Sequence, residues 1–313
     1  MEYKVTGLTD TSASLWDDEF NGISNGEVVG KTDIRYVLSR AWDSGLEKIF
    51  ITGKDFKSSK RSLEIAKTDR RLYCTVGCHP SQYPTWTKKR KKYPDRIAEL
   101  IDHCKKKCVA VGNFGLDYTD EGLERCIKKD QLEIFDWHVQ FGHFLRKPMQ
   151  FHFQGDAFDD MMNLLSNSRD RGALKGVCHS FQGSPAQARE LTRKGFYIGF
   201  DGCSLKEKQH LEVAKSVPLN RLLLGTSSPR CSVQRPHAGM KLLTTGFFSK
   251  SNRLSQDMVV GRTEPSHMCH LLEIVARARS MELQELADII QMNVKKLFFK
   301  KTYQKSCECE RVH

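Results

Sequence analysis

Short apolar runs alternate with amphipathic stretches along nearly the whole chain, and this alternation limits the possible folds more than any other feature. The runs place aliphatic or aromatic residues at consecutive positions, which is typical of strands buried on both faces of a sheet. Eight runs are candidate strands: Tyr3–Leu8, Lys48–Thr52, Leu72–Gly77, Cys108–Gly112, Pro148–His152, Lys175–His179, Gly195–Phe200 and Arg221–Gly225. The first run is the weakest candidate, because Lys4 and Gly7 interrupt it.

The segments between the runs have helical periodicity. Apolar residues recur at helical spacing from Ile34 to Ala41, directly after Asp33, and again within Leu132–Phe144 and Leu271–Ala276. Strands that alternate with helices pair in parallel through right-handed crossovers. In a chain of 313 residues, the pattern predicts an α/β fold, a (β/α)8 TIM barrel, with a doubly wound open sheet as the alternative.

The chain is predicted to form one domain. No Gly/Ser-rich or Pro-rich linker divides it, so we assign residues 1–300 to a single barrel and the polar residues 301–313 to a disordered tail. No apolar run reaches the roughly 20 residues that a membrane span requires, and the first residues lack the pattern of a signal peptide. We therefore expect a protein of the cytoplasm and/or the nucleus that is not secreted. The 11 cysteines lack the paired spacing of a structural zinc site, so reduced thiols are expected.

The charge balance favours a phosphate-rich partner. Lys and Arg number 50 against 38 Asp and Glu, which gives a net charge of +12. Because a basic surface releases counterions when it neutralises phosphates, it favours DNA; the alternative is a solvated charge excess without a partner. A basic run between Trp86 and Tyr93 is the candidate nucleic-acid contact, since aromatic residues flank it, although such runs are also typical of solvated surface. It consists of Lys88, Lys89, Arg90, Lys91 and Lys92.

Three histidines stand at the ends of candidate strands, namely His79, His152 and His179. The carboxyl ends of barrel strands face a common mouth, so these side chains are expected to share one site. A single histidine in such a position is more often a satisfied core residue. The eighth run continues through Gly225 to Ser227 and carries no carboxylate.

The strand-end motifs resemble those of the TatD-related deoxyribonucleases, and most closely their eukaryotic branch. The resemblance runs from about Leu8 to Phe299. It is carried by six stretches: Thr75–Pro80, Gly112–Tyr118, Gly176–Gly183, Tyr197–Lys206, His237–Lys241 and Arg262–Pro265. Together they imply a metal-dependent hydrolase barrel that binds two divalent ions at its mouth, Mg²⁺, Mn²⁺ or Zn²⁺, and cleaves DNA phosphodiesters. The resemblance does not imply an oligomeric state.

The resemblance also assigns site residues. The family's two histidine ligands correspond to His152 and His179, its glutamate ligand to Asn113, and its aspartate, which also acts on the attacking water, to Ser227. His79 corresponds to a position near the scissile phosphate, with a structural role in the turn before Pro80 as the alternative. Three further correspondences concern smaller changes: the first-strand ligands fall on Val5–Gly7, the arginine beyond the first histidine on Gln154, and the aromatic residue after Ala-Pro on Arg230. Arg262 and Glu264 are expected to organise a loop as a buried ion pair.

The loss of the two carboxylates weakens the expected metal site. Two hard divalent cations need carboxylates to offset and bridge their charge, whereas Asn113 and Ser227 offer one amide oxygen and one hydroxyl. One ion or none is therefore expected, unless a neighbouring carboxylate substitutes; the candidates are Asp117, Asp156 and Asp201. The predicted function is a weak or inactive TatD-like deoxyribonuclease. The alternatives are a non-catalytic barrel that binds nucleic acid or protein, and a drifting paralogue.

Overall fold

Eight parallel strands form a barrel surrounded by helices. The computed structural model describes residues 5–24, 26–28, 30–166, 174–246, 249–250 and 257–299. The barrel strands are β1 (Leu8–Ala13), β2 (Leu46–Thr52), β3 (Leu72–Val76), β4 (Cys108–Asp117), β5 (Met149–Gln154), β6 (Gly176–Cys178), β7 (Tyr197–Phe200) and β8 (Leu222–Leu224). Their order in the sheet follows the chain. The predicted barrel is thereby confirmed, and the open-sheet alternative is excluded.

The ring closes between β1 and the segment after β8. Ala13 forms a parallel bridge with Ser228, and the amide of Ser14 donates to the carbonyl of Ser228 over 2.7 Å. The amide of Ser227 donates to the carbonyl of Ser12 over a further 2.7 Å. Because these bonds extend past the end of β8, they fix the backbone around Ser227 against the first strand.

The first strand lies later in the chain than predicted. The predicted strand Tyr3–Leu8 is wrong, since Val5–Gly7 are irregular and the strand begins at Leu8. All six residues of β1 are buried, although most are polar. Each polar side chain is buried with a partner; the Thr11 hydroxyl, for example, donates to the carbonyl of Leu224 over 2.7 Å. The sequence of such a strand shows no apolar run, because its buried side chains are polar and form hydrogen bonds instead of hydrophobic contacts.

The helices follow the strands as the periodicity predicted. They are α1 (Ile34–Asp43), α2 (Phe56–Ala66), α3 (Tyr83–Lys88), α4 (Tyr93–Cys104), α5 (Asp120–Arg125), α6 (Lys128–Phe144), α7 (Phe158–Ser166), α8 (Pro185–Arg193), α9 (Lys208–Ser216), α10 (Met268–Ala278) and α11 (Leu283–Val294). Short 3₁₀ segments include Pro80–Gln82 and Cys203–Leu205, and two-residue strands pair at Ile23–Ser24 with Glu27–Val28 and at Ser249–Lys250 with Met258–Val259. The helices bury their apolar faces against the barrel; Phe114 of β4, for instance, packs edge-on against Phe135 of α6, with ring centroids 5.0 Å apart. No helix in the described ranges is long and apolar enough to cross a membrane.

A buried ionic cluster ties the segment after β8 to α1. The guanidinium of Arg262 contacts the carboxylates of Asp33 at 2.5 Å and Glu264 at 2.7 Å, and Arg40 contacts Glu264 at 2.8 Å. Arg262 and Glu264 are both buried. The predicted ion pair of Arg262 and Glu264 is therefore confirmed. Asp33 directly precedes α1, as predicted, and its carboxylate pairs with Arg262.

The cysteines differ from the sequence prediction in one pair. Cys203 and Cys231 form a disulfide, with their Cα atoms 4.8 Å apart, so the expectation that all cysteines are reduced is wrong for this pair. It could not be read from spacing, because the pair forms only where the loops after β7 and β8 meet. Among the described residues, seven other cysteines are free thiols, six of them buried. The predicted tail at 301–313 lies outside the described residues.

Candidate functional site

The carboxyl ends of the strands surround a cavity of about 350 Å³. All three predicted histidines line it, together with the two residues at the family's carboxylate positions. The sequence therefore identified side chains that do meet at the mouth. Those five are His79, His152, His179, Asn113 and Ser227.

His152 is paired with Asn113. The amide oxygen of Asn113 lies 3.0 Å from Nδ1 of His152. The ring of His79 stacks on that of His152, with centroids 4.7 Å apart and 20° between the planes. His79 also accepts a hydrogen bond at Nδ1 from the amide of Ser81 over 3.1 Å. It thus caps the 3₁₀ turn Pro80–Gln82, while its ring lines the cavity.

His179 is paired with two hydroxyl groups. Its Nε2 lies 3.2 Å from Oγ of Ser12 and 3.1 Å from Oγ of Ser227. Ser227 also donates to Oδ2 of Asp201 over 2.7 Å. The Ser227 backbone has a φ of 51°, a left-handed conformation that is uncommon for a non-glycine residue and that aims its side chain into the mouth.

The mouth histidines are neutral at pH 7. Burial, with a smaller contribution from neighbouring His179, lowers the pKa of His152 to about 4. Burial also lowers the pKa of His179, although the nearby Asp201 carboxylate opposes this. The pKa of His79 lies well below its usual value because of burial and then the adjacent His152. Neutral imidazoles suit the observed hydrogen bonds, since each ring keeps one nitrogen as an acceptor.

Asp201 is a fully buried carboxylate at the mouth. It follows β7 directly. Oδ2 accepts from the hydroxyls of Ser180 and Ser227, each at 2.7 Å, and Oδ1 accepts from the amide of Ser204 at 2.9 Å. Of the three carboxylates considered as substitutes for the missing ligands, only Asp201 lines the cavity.

The other two carboxylates point elsewhere. Asp117 accepts from the hydroxyl of Thr119 over 2.6 Å at the start of α5, and Asp156 is exposed. Neither lines the mouth cavity.

Asp10 is a buried carboxylate that the sequence did not reveal. It lies on β1, two residues before Ser12 of the cavity lining, and is fully buried. Its Oδ1 accepts from the amides of Ser12 at 3.0 Å and Thr226 at 2.9 Å, and Oδ2 contacts the Thr226 hydroxyl at 2.5 Å. Burial raises its pKa to about 7, against the opposing hydrogen bonds from Thr226 and Ser12. Asp10 was missed because the sequence prediction placed the first strand end at Val5–Gly7, whereas the strand contains Asp10 and Ser12.

The donors at the mouth do not fit two hard divalent ions. Asn113 and Ser227, which the sequence resemblance assigns to carboxylate positions, offer an amide and a hydroxyl, and both are already hydrogen-bonded to His152 and His179. Over the described residues, the one group of three histidine, cysteine or carboxylate side chains close enough to hold an ion is Asp201, Cys203 and Cys231. It includes neither His152 nor His179. Without a bridging carboxylate, the charge of two such ions would be uncompensated.

Cationic side chains lie at the rim of the mouth. Lys54 and Arg230 line the cavity; Lys54 lies over the ring of Trp16, with Nζ 4.9 Å from the centroid, and Arg230 contacts Asp17 at 3.3 Å. Gln154, which the resemblance assigns to an arginine position, also lines the cavity.

The basic run lies outside the cavity, at the last residue of α3 and in the turn that leads to α4. All five of its residues, Lys88 to Lys92, are exposed. Arg90 is paired with Asp130 at 2.6 Å and Glu133 at 3.0 Å. Both partners lie on the first turns of α6, and the helices of a barrel start at the face where the strands end. The run is therefore on the same face as the mouth.

Comparisons with known proteins agree on one family. The sequence model described as "TatD related DNase" matches residues 10–299. Deoxyribonuclease Tat-D of Schizosaccharomyces pombe is 32% identical over 293 residues, which cover 91% of this chain and 93% of that protein. An uncharacterized metal-dependent hydrolase, YabD of Bacillus subtilis, is 30% identical, with 93% and 98% covered. The crystal structure of a TatD family hydrolase from Entamoeba histolytica superposes with a TM-score of 0.87 at 28% identity, covering 94% of this chain and 99% of that one.

Proposed function

The chain belongs to the TatD-related DNase family, and we propose that it binds nucleic acid at the barrel mouth while its metal-dependent hydrolysis of DNA phosphodiesters is weak or lost. One observation carries the proposal. The family's glutamate and aspartate positions hold Asn113 and Ser227, whose side chains are hydrogen-bonded to His152 and His179. The retained histidines are thus satisfied by neutral partners.

The lost chemistry follows from the side chains that remain. An aspartate at 227 would act as a general base toward water, a contribution of about 10²- to 10⁴-fold. The Ser227 hydroxyl cannot take up a proton at neutral pH, and it donates its own to Asp201. His152 and His179 are neutral and could each accept a proton, yet both are engaged in hydrogen bonds within the site. The remaining residues can therefore position a phosphodiester more readily than they can cleave it.

Nucleic-acid binding is supported by charge and by relatives. The chain carries a net charge of +12, and Lys54 and Arg230 line the cavity rim. The run Lys88–Lys92 extends the basic surface on the same face, where a polyanion that leaves the mouth would pass. A relative in Shigella flexneri, 27% identical over 266 residues, is named a 3'-5' ssDNA/RNA exonuclease. A cytoplasmic and/or nuclear location stays a prediction from the sequence.

A restoration experiment tests the proposal. The variant Asn113→Glu with Ser227→Asp regains both carboxylates, and Asn113→Gln with Ser227→Asn is its neutral control of matched size. Labelled single-stranded and duplex DNA are incubated with each protein in Mg²⁺, Mn²⁺ or Zn²⁺. We expect the unmodified chain and the neutral control to bind DNA in a salt-dependent way with little cleavage. The carboxylate variant should cleave about 100-fold faster or more.

Two outcomes would contradict the proposal. If the unmodified chain cleaves as fast as the carboxylate variant, Asn113 and Ser227 are sufficient ligands and the degraded-site argument is wrong. If the unmodified chain binds no DNA or RNA at low salt, the nucleic-acid assignment is wrong, and a protein-binding role becomes the better hypothesis.

A further inference from the structure

We propose that Cys203, Cys231 and Asp201 form a binding site for a thiophilic divalent ion, such as Zn²⁺, when the two cysteines are reduced. The disulfide is then the ion-free, oxidised form of the same site. This inference does not depend on the proposed nucleic-acid function, and the site differs from the family's in both its residues and its ligand chemistry.

The three ligand atoms are already gathered. One carboxylate oxygen and the two sulfur atoms all lie within 4.8 Å of one another. Asp201 directly follows β7, Cys203 begins the next 3₁₀ segment, and Cys231 lies in the segment after β8. The two loops are brought together by the pairing of β7 with β8, so the grouping follows from the sheet as well as from the disulfide.

The backbone keeps the two cysteines together without the disulfide. Gly202 lies so close to the loop after β8 that a Cβ atom there would stand 1.8 Å from the carbonyl oxygen of Cys231. Only glycine allows this approach. After reduction the Cα atoms therefore stay near their present separation of 4.8 Å. Side-chain rotation can then open the sulfur–sulfur distance to about 3.8 Å, which two Zn–S bonds of about 2.3 Å in tetrahedral geometry require.

Asp201 has the surroundings of a ligand that lacks a cation. The carboxylate is fully buried, and its hydrogen-bond partners within the described residues are neutral, namely hydroxyls of Ser180, Ser204 and Ser227 and the amide of Ser204. Buried carboxylates are usually paired with a cation or coordinate a metal. In addition, a site of two thiolates and one carboxylate binds Zn²⁺ more tightly than Mg²⁺, because thiolates are soft ligands.

The fourth position of such an ion would face the mouth. Both Asp201 and Cys231 line the mouth cavity, and each cysteine is partly exposed. Three protein ligands with an open position are the arrangement of catalytic zinc, whereas a structural zinc is closed by four. The ion would thus place a Lewis acid beside His179 and Ser227, in a cavity that has lost its hard-metal ligands.

A dithiol reductant supplies the electrons and protons that convert the disulfide form into the dithiol form. The disulfide accepts two electrons and two protons, and the dithiol becomes a disulfide. Zn²⁺ then displaces the two thiol protons and forms two Zn–S bonds. A reducing compartment, such as the predicted cytoplasmic or nuclear location, would favour the metal-binding form.

Cobalt binding tests the proposal on the full chain. The protein is reduced with a dithiol, freed of the reductant without oxygen, and titrated with Co²⁺ and then Zn²⁺; an oxidised sample is titrated in parallel. We expect one ion per reduced chain, with sulfur-to-cobalt charge-transfer absorption that Zn²⁺ abolishes. The oxidised sample should show no such absorption and should contain two fewer titratable thiols.

Variants assign the ligands. Cys203→Ser and Cys231→Ser should each lose the charge-transfer absorption, and Asp201→Asn should weaken ion binding. Cys269→Ser removes a partly exposed free thiol and should bind like the unmodified chain. Because Asp201→Asn could disturb folding, the cysteine variants and circular dichroism of each protein decide the result. The proposal is overturned if the reduced chain shows no sulfur-to-cobalt absorption, or if Cys203→Ser with Cys231→Ser retains it.

Discussion

Replacing Asp10 by asparagine should stabilise the protein at alkaline pH and not at acidic pH. The carboxyl group is fully buried, and burial raises its pKa from 3.8 to about 7. An asparagine keeps the hydrogen bonds, because its amide oxygen can accept from the amides of Ser12 and Thr226 while its NH₂ group donates to the Thr226 hydroxyl. The substitution therefore removes the ionisation and leaves the packing unchanged.

The direction follows from the two pKa values. In the unfolded chain Asp10 loses its proton near pH 3.8, and in the folded protein it does so only near pH 7. The contribution of protonated Asp10 to the free energy of unfolding is fully present below pH 3.8 and is lost as pH rises through 7. Each unit of pKa difference corresponds to about 1.4 kcal/mol, so the full loss is about 4 kcal/mol, with about 3 kcal/mol of it between pH 5 and pH 8.

Urea unfolding at pH 5, 6, 7 and 8 measures the effect, with the unmodified protein and the variant compared at each pH. The difference in unfolding free energy should move in favour of Asp10→Asn by about 3 kcal/mol over this range. Asp160→Asn is a control without pH dependence over this range. The hydrogen bond from Lys128 lowers the pKa of Asp160, so its carboxylate is ionised in the folded and unfolded states from pH 5 to pH 8, and losing the partly exposed pair should cost less than about 1 kcal/mol at each pH. A difference between Asp10→Asn and the unmodified protein that is the same at pH 5 and pH 8 would refute the raised pKa.

Two further substitutions have expected outcomes. Arg262→Ala should lower the unfolding free energy by about 3–5 kcal/mol, because it leaves the buried Glu264 without one of its two cations; Arg61→Ala, at an exposed pair, should cost less than about 1 kcal/mol in the same urea titration. If DNA contacts the basic run, Lys91→Gln should reduce the slope of log affinity against log salt by about 1, whereas Arg90→Gln should change it less, because Arg90 is already paired within the protein. Equal slopes for Lys91→Gln and the unmodified chain, measured by fluorescence anisotropy, would exclude that residue from the contact.

Seven of the eight strands could be predicted because each is a continuous apolar run, and hydrophobic burial is visible in sequence. The first strand could not, because its buried side chains are Thr9, Asp10, Thr11 and Ser12. Three of them have partners more than 200 residues away, namely Gln291 for Thr9, Leu224 for Thr11 and Thr226 for Asp10. Likewise, the disulfide pairs cysteines separated by 28 residues, and only the pairing of neighbouring strands brings them together. The histidines could be assigned because strand ends in a barrel share one mouth.

The neutral side chain of Ser227 is compatible with the buried carboxylate of Asp201 beside it. Ser227 lies 2.7 Å from the carboxylate of Asp201, so an aspartate at 227 would bring two carboxylates together in a buried site, where like charges repel. In the carboxylate variant, that repulsion raises the pKa of one of the two carboxyl groups, and a cation that binds between them would relieve it. The variant should therefore melt at a lower temperature than the neutral control in a chelator, and Mn²⁺ should raise its melting temperature while leaving the control unchanged. A variant that melts like the control in both conditions would show that the two carboxylates do not meet.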